Sequence, residues 1–217
     1  MTVGDYKLDM TMMVTIHDAF RRELDRLGKV AAAVDDDPRK IMRTALGWKL
    51  FKTYLGIHHT TEDATVWGLM HDRLAEAPDV AVLDAMEAEH AAIDPLLSGI
   101  DAALADAERG HERLGGLVEE LATNLRAHLR HEEAEGLALV DATLTEREWA
   151  NFAAVHLRKV GDDVGTYMPW LLDDAAEEWV ETVLNRLPPF GRVKYEGEWK
   201  AAYERLSLWT PTAGAAG

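Results

Sequence analysis

A chain of 217 residues is long enough for one bundle-sized domain with an extension, and a composition of 47% hydrophobic and 29% charged residues is that of a globular protein, not a disordered one. Zero cysteines exclude disulfides, thiolate zinc sites, iron–sulfur clusters and a cysteine nucleophile, so any metal must sit on His, Asp or Glu. A formal charge of −16 argues against nucleic acid and anionic membranes as partners, no apolar run reaches the ~18 residues of a membrane span, and the opening residues carry no leader pattern, so a cytoplasmic location is the expectation.

Strand signals are nearly absent, and apolar residues recur at helical spacing, which predicts an all-helical protein. The first helix is expected over Met10 to Val34, with Met13, Ile16, Phe20, Leu24 and Leu27 on one stripe. Asp35-Asp36-Asp37-Pro38 ends it and starts the next, since an acidic cap followed by proline suits a helix start. That second helix is expected to run from Pro38 to Leu74 through Trp48, Phe51, Leu55 and Leu69, with Pro78-Asp79 as the following turn. The third, Asp79 to Ala107, carries Leu83, Met86, Ile93, Leu97, Ile100 and Leu104, and Pro95 should bend it. Gly110 opens a fourth that uses Leu114, Leu117, Leu121, Leu125 and Leu139 and ends near Thr143.

Four long helices with short connections predict an antiparallel up-down four-helix bundle over residues 10–144. Thr145-Glu146-Arg147-Glu148 is a capping-box signature for a fifth helix reaching Val160. Beyond it, Pro169, Pro188, Pro189 and Gly191 predict short pieces. Five of the seven tryptophans, Trp149, Trp170, Trp179, Trp199 and Trp209, lie in this stretch, so residues 145–210 are expected to form a helical extension packed on the bundle. Residues 211–217 are expected to be a disordered tail.

Histidines fall on the apolar stripes. His17 lies between Met13 and Phe20, and His90 between Met86 and Ile93, so each points inward. The second and fourth helices each offer a pair four residues apart, His58 with Glu62 and His128 with Glu132, which stack an imidazole and a carboxylate on one face. The pattern repeats: a lone His is followed by His-x-x-x-Glu after 41 residues in one half and 38 in the other. Four imidazoles and two carboxylates in a bundle core suit two first-row metal ions, iron best, because nitrogen holds each ion and carboxylates bridge and cancel charge. Burying Glu62 and Glu132 without a cation would cost several kcal/mol each.

Second pairs shifted in register, His59 with Asp63 and His131 with Glu135, fit the stripes less well, which places His59 and His131 at the rim or behind the ligands. His71 and His111 near helix ends read as solvated, and His156, on a face with Trp149 and Phe152, reads as packing of the extension. Tyr54, one turn before His58, is either core or a group that orients a ligand or touches a bound oxidant.

With these residues in place, residues 10 to 145 resemble the hemerythrin-like, or HHE cation-binding, family, whose four-helix bundle holds a non-heme di-iron centre. The resemblance implies that His17, His58, His90 and His128 are terminal ligands, that Glu62 and Glu132 bridge two iron ions joined by an oxo or hydroxo group, and that the ligand is a small oxidant: O2, hydrogen peroxide or nitric oxide. In the family's invertebrate oxygen carriers a second His precedes the helix-three ligand by one turn, where this chain has Met86, and some relatives put Glu where this chain has His59. Both departures point away from simple reversible oxygen carriage and toward redox chemistry at an open position. The competing functions are a catalase-like or nitric-oxide-reactive enzyme, an iron buffer or sensor, and a metal-free helical interaction module. A ferritin-like oxidase is set aside because the two Glu-x-x-His pairs, at Glu87 and Glu108, are too close along the chain and Gly110 interrupts the second. A zincin is excluded for lack of His-Glu-x-x-His.

Overall fold

The structure, a computed structural model, describes residues 6–33, 37–74 and 79–209. Among these there is no strand, and no helix is long and apolar enough to cross a membrane. Helix α1, Thr11–Ala31, buries Met13, Ile16, Phe20, Leu24 and Leu27 on one face, and Lys29 in its last turn complements the helix dipole. The predicted end at Val34, the turn residue Pro78 and the 211–217 tail lie outside the described residues. Asp37 caps α2, Pro38–Thr44, by accepting the Arg39 N–H at 3.1 Å, with Pro38 as its first residue.

The single helix expected from Pro38 to Leu74 is divided. Ala45 is extended (ψ 121°) between α2 and α3, Leu46–Glu62. Two contacts favour the break: the Thr44 hydroxyl turns back onto the Lys40 carbonyl at 2.7 Å, and Arg43 donates to the carbonyl of Leu104 across the end of the bundle. A wide π-helical turn, Asp63–Trp67, then joins α3 to α4, Gly68–Leu74.

Helix α5, Val80–Ala105, continues through Pro95 and stops two residues short of the expected Ala107. Asp106 closes the following turn by accepting the N–H groups of Glu108 and Arg109 at 3.1 and 3.0 Å. Helix α6, Gly110–His131, begins where only glycine fits, because a Cβ at Gly110 would lie 1.8 Å from the Ala103 carbonyl oxygen. A second π turn, Glu132–Gly136, leads to α7, Leu137–Thr143.

The expected capping box is present. Thr145 and Glu148 bond reciprocally at the start of α8, Glu146–Val160. A short 3₁₀ turn, Gly161–Asp163, leads to α9, Val164–Leu172, followed by α10, Glu177–Leu184; α11, Pro189–Lys194; a π turn, Tyr195–Trp199; and α12, Lys200–Glu204. Pro188 and Pro189 start α11 as expected, but Pro169 and Gly191 lie inside helices and break nothing. Pro169 costs α9 a backbone bond, and burial of Trp170, Leu171 and Leu172 beyond it outweighs that cost.

These later helices share one apolar core with the earlier ones. Trp170 packs on Phe20 and Tyr54 with ring centroids 5.7 and 4.8 Å apart. Arg22 donates to the carbonyls of Trp170 and Asp173. At the far end the Trp209 ring fills the space over Gly47 and its indole N–H reaches the buried Glu23 at 2.7 Å.

Candidate metal centre

Four helices, α1, α3, α5 and α6, deliver histidines from their buried faces. His17 on α1, His58 and His59 on α3, His90 on α5 and His128 on α6 are all buried, as are Glu62 and Glu132, each at 0% exposure. The two glutamates stand where α-helix gives way to the π turns, one at the end of α3 and one at the start of the turn after α6. A π turn holds an extra residue and is frequent at functional sites, and here it follows the carboxylate in both halves. Gly136 makes room in the second turn, since a Cβ there would crowd the Glu132 side chain at 3.1 Å.

The six residues expected from the sequence, His17, His58, Glu62, His90, His128 and Glu132, come together, and His59 joins them. They form two groups that could each hold a metal ion: His17, His58, Glu62 and Glu132 in one, and His59, His90 and His128 in the other, with the donor atoms of each group within 4.8 Å of one another. The carboxylates link the groups. Glu62 places one oxygen 3.3 Å from His58 Nε2 and the other 3.6 Å from His90 Nε2. A single oxygen of Glu132 lies 3.3 Å from His17 Nε2 and 3.7 Å from His128 Nε2.

His59 corrects the placement at the rim. It is 5% exposed, its ring stacks on His90 at 3.9 Å, and its Nε2 is buried without a hydrogen-bond partner. The His58-His59 doublet was the available signal. Two consecutive residues on a helix differ by about 100° in direction, which is too much for one ion but suits donors to two.

The outer ring nitrogens decide which nitrogens face the centre. His17 Nδ1 donates to Glu133 at 2.9 Å, His90 Nδ1 to Asp63 at 2.7 Å and His128 Nδ1 to Glu89 at 2.9 Å. Carboxylates accept and do not donate, so the hydrogens sit on Nδ1 and the Nε2 lone pairs point inward. Two of them, on His90 and His128, meet at 3.1 Å, and His17 and His58 Nε2 stand 3.2 Å apart. Neither oxygen of Glu62 or Glu132 has a hydrogen-bond partner. Converging lone pairs and unpaired buried carboxylates call for a cation, and imidazole with carboxylate is the donor set of first-row metals.

The electrostatics call for a positive charge at the carboxylates, and without a metal ion His17 is set to supply it by keeping a second proton. Burial and the charge of Glu132 push the Glu62 carboxyl well above the usual range. Burial also works to raise Glu132, but His17, His128 and His90 outweigh it and hold that carboxylate below its ordinary value. Burial tends to lower His17, yet Glu132 and Glu133 raise it to about 9. His58 and His59 are pushed well below the usual imidazole value by burial and by neighbouring imidazoles.

Glu89 and Glu133 were not singled out by sequence, because charged residues beside a ligand look like any solvated helix face, and Asp63, weighed there only as a partner of His59, receives His90 instead. Arg21 steadies Glu133 at 2.7 Å, and Glu89 also takes His131 Nδ1 at 2.8 Å, which puts His131 behind the ligands. His131 and Glu135 are 3.9 Å apart, away from the buried cluster. Replacing Glu89 by alanine should weaken metal binding by about 10–100-fold, read by competition with a chelator, because His128 then loses the acceptor that fixes its ring.

The remaining residues have other surroundings. The Tyr54 ring packs between Tyr167 and Trp170 of α9, and its buried hydroxyl has no partner. His71 is not simply solvated, since its Nε2 lies 3.6 Å from both Asp84 and Glu87 of α5, whereas His111 is exposed. His156 packs as expected on Phe152 and Tyr167, its ring also stands 5.9 Å from that of His58, and burial, with Lys159 nearby, lowers it to about 4.

Compared with known proteins, residues 9–140 match the hemerythrin HHE cation binding domain. No curated protein and no solved structure matches the chain.

Proposed function

The chain belongs to the hemerythrin HHE cation-binding family, and from that premise we propose that it holds two non-heme iron ions and uses them to bind O2 or to react with a small oxidant such as peroxide or nitric oxide. The framework in this reading is an antiparallel up-down four-helix bundle of α1, α3–α4, α5 and α6–α7. The carrying observation is the approach of His90 and His128 Nε2 to 3.1 Å with both Nδ1 hydrogens already committed to carboxylates.

In this reading His17 and His58 would hold one ion and His59, His90 and His128 the other, with the Glu62 and Glu132 carboxylates available to both. Bound iron would supply the ferrous–ferric change that such chemistry requires. The protein's own part is to fix the donors and keep water away. Asp63, Glu89 and Glu133 orient three imidazoles from outside, while Phe20 and Phe152 cover the His58 ring at 5.5 and 6.5 Å.

The test is metal analysis of the purified protein with an anaerobic ferrous titration, then separate exposure to O2, peroxide and nitric oxide. Two ferrous ions per chain with a stable oxygenated spectrum would identify a binder, and rapid oxygen evolution from peroxide would identify an enzyme. A chain that takes up no ferrous ion at all would end the proposal.

A further inference from the structure

Metal-bound histidines nearly always hand their other ring N–H to an acceptor. Here the acceptors follow a circuit in which each is the sequence neighbour of a ligand on the adjacent helix. Asp63, beside Glu62, receives His90; Glu89, beside His90, receives His128; Glu133, beside Glu132, receives His17. By the same logic Asp18, beside His17, would serve His58. It does not: its side chain is 63% exposed and pairs with Arg21 at 3.0 Å. His58 Nδ1 is left buried without a partner.

What faces His58 instead is α8. The ring of His156 stands 5.9 Å from that of His58 at an interplanar angle of 72°, next to Phe152. His156 is 8% exposed and its Nε2, like His58 Nδ1, is buried with no hydrogen-bond partner. Two buried ring nitrogens without partners thus belong to rings set edge-on to one another, in an aromatic enclosure that includes Tyr167, 5.6 Å from His156.

We propose that His156 is the positioning residue for His58, accepting its Nδ1–H through one buried water and so taking the place that carboxylates hold at His17, His90 and His128. This rests on the metal-binding reading above. His156 lies outside residues 9–140, so on this account the extension completes the centre and is not only packed against it. A bridging water satisfies both buried groups, whose desolvation would otherwise go uncompensated.

The test compares His156→Phe, which fills the space without an acceptor, with His156→Gln, which keeps one. Ferrous ion is titrated anaerobically against a chelator, and circular dichroism and thermal midpoints of the metal-free forms are followed alongside. His156→Phe is expected to weaken one of the two bound ions by about 10–100-fold and leave the other, while His156→Gln stays near wild type. His156→Leu gives the same comparison if the phenyl ring does not fit. Binding by both apolar variants as tight as wild type, or equal losses in His156→Gln and His156→Phe, would overturn the assignment while leaving the metal reading intact. Failure of the wild-type chain itself to bind metal would overturn both.

Discussion

Replacing His128 by alanine is expected to lower bound metal from two ions to at most one per chain, with helical content unchanged. His128 Nε2 is within 3.1 Å of His90 Nε2 and 3.7 Å of Glu132, so its loss removes one imidazole of three from one group and a neighbour of the buried Glu132 carboxylate. Removing a direct ligand should exceed the tenfold or larger losses typical of its outer partners. The helix itself does not depend on this residue, because Leu121, Leu125 and Leu129 of α6 are buried in the apolar core. His59→Ala should behave in the same way, which separates a ligand from a rim residue, and His58→Ala should empty the other group. His71→Ala, whose ring contacts Asp84 and Glu87 on α5, should leave metal content unchanged. Metal analysis with circular dichroism reads all four variants. Collapse of the helices in His128→Ala would mean instead that the metal holds up the fold.

Glu62→Gln is expected to abolish binding of two ions and at the same time to stabilise the metal-free protein at pH 8. Glu62 is fully buried, both its oxygens lack partners, and Glu132 stands beside it as a like charge. The sign follows from the direction of the shift. A carboxyl raised by burial keeps its proton more tightly in the folded than in the unfolded chain, so its contribution is intact below the ordinary carboxylate range and is lost as pH rises through the folded value. The amide cannot ionise, so the gain should be near zero at pH 4 and grow toward pH 8, measured by denaturant unfolding of metal-free protein. Equal stability of wild type and variant at pH 8 would show that the buried carboxylate is compensated by something other than a cation.

Helical periodicity is local, and whatever depends on it was legible in the chain. The stripe of Met13, Ile16, Phe20, Leu24 and Leu27, the Asp37-Pro38 start, the capping box at Thr145 and the two His-x-x-x-Glu pairs each need only a few consecutive residues. Spacing of four along a helix puts His58 over Glu62 and His128 over Glu132 whatever else surrounds them. The break at Ala45 and the π turns after Glu62 and Glu132 were not legible, since they answer to contacts across the bundle, such as Arg43 on Leu104, and to the fit of Gly136 beside Glu132.

Read along the chain, the residues specify helices with imidazoles and carboxylates on their apolar faces. Which nitrogen meets which group is settled by how those helices pack. That choice brought His59 in from the rim, set Asp63, Glu89 and Glu133 behind imidazoles on neighbouring helices, and packed the His156 ring 5.9 Å from that of His58. The reason is physical. Rotation and depth of one helix against another are set by summed packing over whole faces, and no run of consecutive residues encodes them.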